Sequence, residues 1–112
     1  MLKTPIFVKT YDFMLWLLQK TQRFPRNARW NLSAWLENSM GKFLSYLVAA
    51  NQYAGKVRYS ELEKADIELT LIRYWLRAAH DLKYIDFNAY SYASEAVNEI
   101  GRLLGAWKKI SY

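Results

Sequence analysis

Hydrophobic positions recur every three or four residues along four stretches of the chain, a period that is typical of amphipathic α-helices. The pattern predicts helices over Thr10–Arg23, Arg26–Tyr53, Ser60–Tyr84 and Asn88–Lys108. Strand signals are weak throughout, and the connections between the helices are short. Because short connections place consecutive helices antiparallel, the sequence predicts an all-α fold, an antiparallel up-down-up-down four-helix bundle.

Several residues signal where these helices begin and end. Pro25 disfavours helical geometry in the residue before it and can itself occupy the first turn of the second helix. Gly55 can adopt the left-handed conformation that closes that helix. Ser60 and Glu63 fit a capping box that opens the third helix, and Asn88 is a candidate N-cap of the fourth.

The third predicted helix carries apolar residues on two nearly opposite faces. The first stripe consists of Leu62, Ala65, Leu69, Ile72, Leu76 and Ala79. The second stripe consists of Ile67, Leu71, Tyr74, Trp75, Ala78 and Leu82. Since one stripe is enough to pack a helix inside a bundle, the second predicts contact with another molecule or subunit. Arg73 and Arg77 lie on the strip between the two stripes.

The second and fourth helices each show one apolar face. A chain of 112 residues is the common size of one domain, so we expect a single domain that spans residues 1–112. The predicted core of the second helix is Leu32, Leu36, Met40, Phe43, Leu47 and Ala50. That of the fourth helix is Tyr92, Ala96, Ile100, Leu103, Leu104 and Trp107. With 53% hydrophobic residues, the chain should fold and bury roughly two-thirds of its surface.

Charge adds a preference for anionic partners, because 16 Lys and Arg residues oppose 10 Asp and Glu residues. Arg23, Arg26 and Arg29 cluster where the first two helices meet. Lys56 and Arg58 lie where the second and third helices meet, so the bundle should have two basic ends.

The residue content argues against most enzyme classes. There is no cysteine and a single histidine, which excludes disulfides, thiolate chemistry and sulfur-liganded zinc. His80 and Asp81 are adjacent in a helix and point about 100° apart, so they do not form an oriented dyad. We therefore expect no catalysis, metal, cofactor or small-molecule substrate. The absence of a membrane span or signal peptide from the sequence predicts a cytoplasmic location.

Two pairs of residues leave two interpretations open. Gly101 and Gly105 each cost a helix about 0.5–1 kcal/mol relative to alanine, which suggests close approach of a neighbouring helix or a contact between subunits. Arg73 and Arg77 either pair with acidic residues of their own helix or hold the phosphates or carboxylates of a partner.

Three segments resemble the small four-helix bundle family that includes the accessory variability determinant (Avd) of diversity-generating retroelements and proteins encoded in intervening sequences of large-subunit rRNA. They are Phe24-Pro25-Arg26-x-x-Arg29-x-x-Leu32, Ala65-Asp66 leading into Leu71-Ile72-Arg73-Tyr74-Trp75-Leu76-Arg77, and Glu99-Ile100-Gly101-Arg102-Leu103-Leu104-Gly105-Ala106-Trp107. The Arg-Tyr-Trp-Leu-Arg string is most similar to Avd.

This resemblance implies a ring-like homopentamer that binds a reverse transcriptase and its template RNA, with cDNA a further possible ligand. The partner contacts expected on this basis are Arg73, Arg77, Arg102, Arg23, Arg26, Arg29, Lys56 and Arg58. The contacts expected between subunits are Leu71, Trp75, Gly101 and Gly105. The alternative is a structural bundle of the rRNA-intervening type without a polymerase partner, since the Phe-Pro-Arg segment occurs in both branches.

Overall fold

The computed structural model of the protein describes residues 4–111 and contains only helices and turns within that range. The helices are α1 (Pro5–Thr21), α2 (Leu32–Gln52), α3 (Gly55–Asp81) and α4 (Phe87–Ile110), with a short 3₁₀ turn at Arg26–Ala28. The predicted all-α class is therefore confirmed for the described residues.

Each helix packs against two others, so that one core lies between all four. Helix α2 contacts α1 and α3, and α4 also contacts α1 and α3. The predicted core stripe of α2 is buried in full, and so is the first stripe of α3. Regular spacing of apolar residues over more than five turns was therefore sufficient to identify both core faces.

The predicted core face of α4 was partly wrong. Its buried residues are Ala93, Val97, Ile100 and Leu104. Tyr92 is instead half exposed, and its ring packs at the edge of the bundle, 5.1 Å from that of Trp16. The remaining predicted residues of this face, Ala96, Leu103 and Trp107, are partly buried against the core.

Helix α1 begins at Pro5, five residues before the predicted start, and α2 begins at Leu32, six residues after it. Pro5 suits the first turn of α1 because that position needs no backbone N–H. Asn31 separates the 3₁₀ turn from α2: its backbone is not helical, and its side chain accepts a hydrogen bond from the Leu32 N–H. Thus an asparagine cap, and not Pro25, sets the start of α2.

Two other predicted helix ends also need correction. Gly55 has the left-handed φ of +60°, but it opens α3, because α2 already ends at Gln52. Ser60 consequently lies inside α3 and cannot begin a capping box. At α4 the N-cap is Asp86 and not Asn88, since the Asp86 carboxylate accepts a 2.8 Å hydrogen bond from the N–H of Ala89.

Ring contacts define two ends of the molecule. Phe24 and Tyr84 lie 5.4 Å apart, which joins the α1–α2 connection to the α3–α4 connection; we call this the Arg26 end. Phe7 and Trp107 lie 6.1 Å apart, which brings the start of α1 beside the last turns of α4; we call this the Arg58 end. The 21 residues of α2 separate the two ends by about 30 Å.

Candidate nucleic-acid and partner interface

The second apolar stripe of α3 faces away from the core, and we call it the outer stripe: Ile67, Leu71, Tyr74, Trp75, Ala78 and Leu82. Three of its side chains are more than half exposed, Ile67 at 61%, Tyr74 at 62% and Leu82 at 57%. Leu71, Trp75 and Ala78 are half buried against the bundle. A protomer therefore leaves a long apolar surface open on one helix, as the two-faced pattern predicted.

Trp75 connects the outer stripe to α2. Its ring centroid lies 5.2 Å from that of Trp35, and the two rings are tilted by 42°. Trp35 is itself 47% exposed. The pair extends the apolar surface of α3 across the groove between α2 and α3.

The Arg73 side chain reaches across from α3 and lies over Gly101 of α4. A Cβ atom on Gly101 would stand 2.7 Å from the Arg73 Nη2 atom, which is closer than real Cβ contacts allow. The glycine therefore makes room for a guanidinium group. The group that approaches Gly101 closely is therefore an arginine side chain and not the backbone of a neighbouring helix.

Gly105 has different surroundings from Gly101, although the two lie one turn apart. A Cβ atom on Gly105 would meet nothing within 4 Å, and the residue is exposed. Gly101 thus has a close neighbour within the single chain, the Arg73 guanidinium, whereas Gly105 has none. The subunit-contact interpretation of Gly105 stays a prediction.

Arg73 and Arg77 of α3 are at most weakly held by acidic groups. Arg73 forms no ion pair with any residue in 4–111. Asp66, seven positions before it, pairs with Lys108 of α4 at 3.4 Å. Arg77 lies 3.9 Å from the Asp81 carboxylate, and both side chains are mostly exposed, a geometry worth only a few tenths of a kcal/mol.

Arg102 adds an exposed guanidinium group on α4. It directly follows Gly101 in α4, is exposed, and takes part in no ion pair among the described residues. Arg73 and Arg77 are consequently available on α3, and Arg102, which points about 100° away from Gly101, is available on the outer face of α4. Such planar forks suit phosphate or carboxylate oxygens.

A second group of cations occupies the Arg26 end. Arg23, Arg26 and Arg29 are all exposed and form no ion pair within residues 4–111. Arg26 and Arg29 line a recess of about 590 Å³ that also contains Thr21 and Glu37, whose side chains share a 2.6 Å hydrogen bond. The predicted basic cluster is thus present, and two of its three arginines share one recess.

The two predicted cations of the Arg58 end differ in their surroundings. Arg58 is half buried: its Nε donates a 2.9 Å hydrogen bond to the Ala50 carbonyl at the end of α2, and its guanidinium lies 5.9 Å from the Trp107 ring. Lys56 is exposed and forms no ion pair in the described part of the chain. Arg58 therefore stabilises its own protomer, and Lys56 is the more accessible charge.

One apolar surface was missed by sequence reasoning. Helix α1 exposes Val8, Tyr11, Leu15 and Leu18 to between 36% and 45%, and we call this set the α1 stripe. The signal was present, because these residues follow one another at intervals of three and four. The buried residues of α1 recur at similar intervals, so the spacing alone does not show which of its apolar stripes faces the solvent.

The remaining candidate chemistry is sparse. The His80 ring stacks on Tyr90 at 4.6 Å, and its Nδ1 lies 3.8 Å from the exposed Asp81 carboxylate. No group of three or more potential metal ligands of the His, Cys, Asp or Glu type occurs among residues 4–111. Within the same range, no helix is both long and apolar enough to cross a membrane.

Comparison with known proteins agrees with this architecture. The model of the bAvd-like family matches residues 6–111. No curated protein matches the chain in sequence. A crystal structure of a protein of unknown function from the S23 ribosomal protein family of Bacteroides thetaiotaomicron superposes with a TM-score of 0.84 at 19% identity, covering 93% of this chain and 95% of that one. At this identity the likeness concerns the fold alone.

Proposed function

Because this chain belongs to the bAvd-like family, as its sequence motifs indicated, we propose that it is a non-catalytic accessory subunit of a diversity-generating retroelement. In this role it forms a ring-like homo-oligomer, a pentamer, in the cytoplasm. The ring binds the reverse transcriptase and its template RNA, or the cDNA copy, and supports mutagenic copying. The observation that carries the proposal is the outer stripe of α3 flanked by arginines without strong acidic partners.

Contacts within the protomer support the up-down-up-down order that this ring requires. Lys9 near the start of α1 pairs with Glu99 midway along α4 at 3.1 Å. Trp16 near the end of α1 meets Tyr92 early in α4. These two contacts run in opposite directions along the two helices, which is the register of an antiparallel pair.

Two different apolar surfaces support assembly in a ring. Helices α1 and α3 do not contact each other within residues 4–111, so the α1 stripe and the outer stripe of α3 lie on separate sides of the bundle. When one surface of a protomer covers a different surface of the next, the contact is head-to-tail and closes into a ring if the rotation allows. The proposed contacts between subunits are Leu71 and Trp75 of α3 and Gly101 and Gly105 of α4.

Arg73, Arg77 and Arg102 are the proposed contacts with polymerase and template. Guanidinium groups that are not neutralised within the protomer can pair bidentately with phosphates or carboxylates of a partner. Helix α3 thus carries the oligomer contact on its outer stripe and the partner contact on its flank.

Co-purification with the reverse transcriptase of the same locus tests this proposal. The variant combines Arg73→Ala with Arg77→Ala, and the control combines Lys9→Ala with Lys42→Ala, which removes the same charge from α1 and α2. We expect the arginine variant to keep its native mass and lose the polymerase, while the lysine variant retains it. Unchanged capture by the arginine variant would remove this site assignment. A gene located in an rRNA intervening sequence, with no neighbouring reverse transcriptase, would favour the structural alternative.

A further inference from the structure

Trp30 has the most exposed large hydrophobic side chain among residues 4–111, with 84% of its surface accessible. Its indole makes no ring contact with any described residue, unlike those of Trp16, Trp35, Trp75 and Trp107. An indole that is left in water forgoes the stabilisation of burial, and both of its faces are open to another molecule.

The backbone that carries Trp30 is anchored on both sides. Phe24, Ala28 and Leu32 are buried in the core. The N–H of Ala28 donates to the Pro25 carbonyl at 2.9 Å, and the N–H of Asn31 donates to the Ala28 carbonyl at 3.2 Å. The indole therefore extends from a fixed turn, and little ordering of the chain is needed when it binds a ligand.

The segment of chain that carries Trp30 is strongly positive. Arg23, Arg26 and Arg29 precede it within seven positions, and no acidic residue occurs between Asp12 and Glu37. Arg26 and Arg29 line the recess beside the turn and lack ion-pair partners within the described range. Glu37 also lines this recess, but its carboxylate already accepts the 2.6 Å hydrogen bond from Thr21.

We propose that the Arg26 end is a second nucleic-acid site, at which Trp30 stacks on an unpaired base of RNA while Arg26 and Arg29 hold the neighbouring phosphates. This inference rests on the proposed role in template binding and adds the chemical form of the ligand. Single-stranded sites combine cations that follow the backbone with aromatic rings that stack on bases. An acidic peptide would satisfy the arginines but offers no flat surface to the indole, and a duplex keeps its base faces stacked inside.

Binding of two RNAs tests the site. One is a hairpin with a single-stranded loop, and the other is a fully paired duplex with the same number of phosphates. Fluorescence anisotropy at one fixed ionic strength is recorded for the wild type, Trp30→Ala, Trp30→Phe and the control Tyr53→Ala. Tyr53 is an exposed aromatic residue just after the far end of α2, three positions before Lys56.

We expect Trp30→Ala to bind the hairpin about 5- to 150-fold more weakly, the equivalent of losing one stacked base. Its duplex binding should match the wild type, because stacking is absent there. Trp30→Phe should keep part of the hairpin affinity, and Tyr53→Ala should keep all of it. Circular dichroism should show unchanged thermal unfolding for Trp30→Ala, since its side chain is outside the core.

The other outcomes separate this inference from the proposed function. Wild-type hairpin binding by Trp30→Ala overturns the stacking site and leaves the accessory role intact. A wild type that binds neither RNA overturns both. Unchanged RNA affinity with a lower native mass would assign Trp30 to a subunit contact, and unchanged RNA affinity with lost polymerase capture would assign it to a protein contact; either result also overturns the stacking site.

Discussion

Gly101 and Gly105 lie one turn apart in α4 but have different surroundings, so we expect alanine to have different effects at the two positions. Gly105→Ala adds a methyl group in open space and improves helix propensity, so the protomer should gain about 0.5–1 kcal/mol in its free energy of unfolding.

Gly101→Ala should instead displace the Arg73 guanidinium, which is the flexible end of a side chain. We therefore expect Gly101→Ala to fold normally in urea titrations and to lose polymerase capture as Arg73→Ala does. Full capture by Gly101→Ala would show that the position of this guanidinium is unimportant.

The cap of α4 gives a second prediction for single residues. Asp86→Ala removes the hydrogen bond to the Ala89 N–H and should lower the free energy of unfolding by about 1 kcal/mol. Asn88→Ala, two positions later inside the helix, should change it by less than about 0.5 kcal/mol. Thermal or urea unfolding of the two variants shows which of the two residues caps α4. The reverse order of stabilities would restore Asn88 as the cap.

One substitution on each face of α3 tests the role of that face separately, in folding for the buried face and in assembly for the outer stripe. Ile72 is fully buried, and Ile72→Ala should lower the free energy of unfolding by about 2–5 kcal/mol through the lost contacts and the cavity. Ile67 lies on the outer stripe, so Ile67→Asp should leave the helical content intact and weaken assembly by placing a charge in the contact between subunits. Circular dichroism measures the first effect and size-exclusion chromatography the second. An Ile67→Asp variant that elutes as the wild type would exclude the outer stripe from the contact.

The helices also show which features the sequence could predict. The faces of α2 and α3 were predictable because their apolar residues keep one regular spacing. The face of α4 was shifted because apolar side chains stand at adjacent positions, as in Tyr92-Ala93 and Ala96-Val97, and the period alone does not choose between them. The contact of Arg73 with Gly101 was not predictable, since it depends on how far α4 is shifted along α3. The exposure of Trp30 was not predictable either, because it depends on the shape of the turn between Pro25 and Asn31, before α2 begins.

Charge acts on the scale of the whole molecule, and it gives a prediction for the template. Each arginine that neutralises a phosphate of single-stranded RNA releases condensed counterions, so the logarithm of the affinity falls by about 0.7 per phosphate with the logarithm of salt concentration. The salt slope of the Arg73→Ala, Arg77→Ala variant should therefore be smaller by about 1.4. Affinity measured over a series of salt concentrations gives this slope for the variant and the wild type. Identical slopes would mean that neither arginine contacts phosphate.

The outer stripe of α3, the α1 stripe and the exposed Gly105 all support one claim, that copies of this chain assemble. One 13.3 kDa protomer leaves the outer stripe of α3 in water, and copies of the same chain are proposed to cover it. Light scattering of the wild-type protein at micromolar concentration tests this most directly. The account predicts a mass several times that of the protomer, about 67 kDa for five copies of the 13.3 kDa chain. A mass near 13.3 kDa would contradict it.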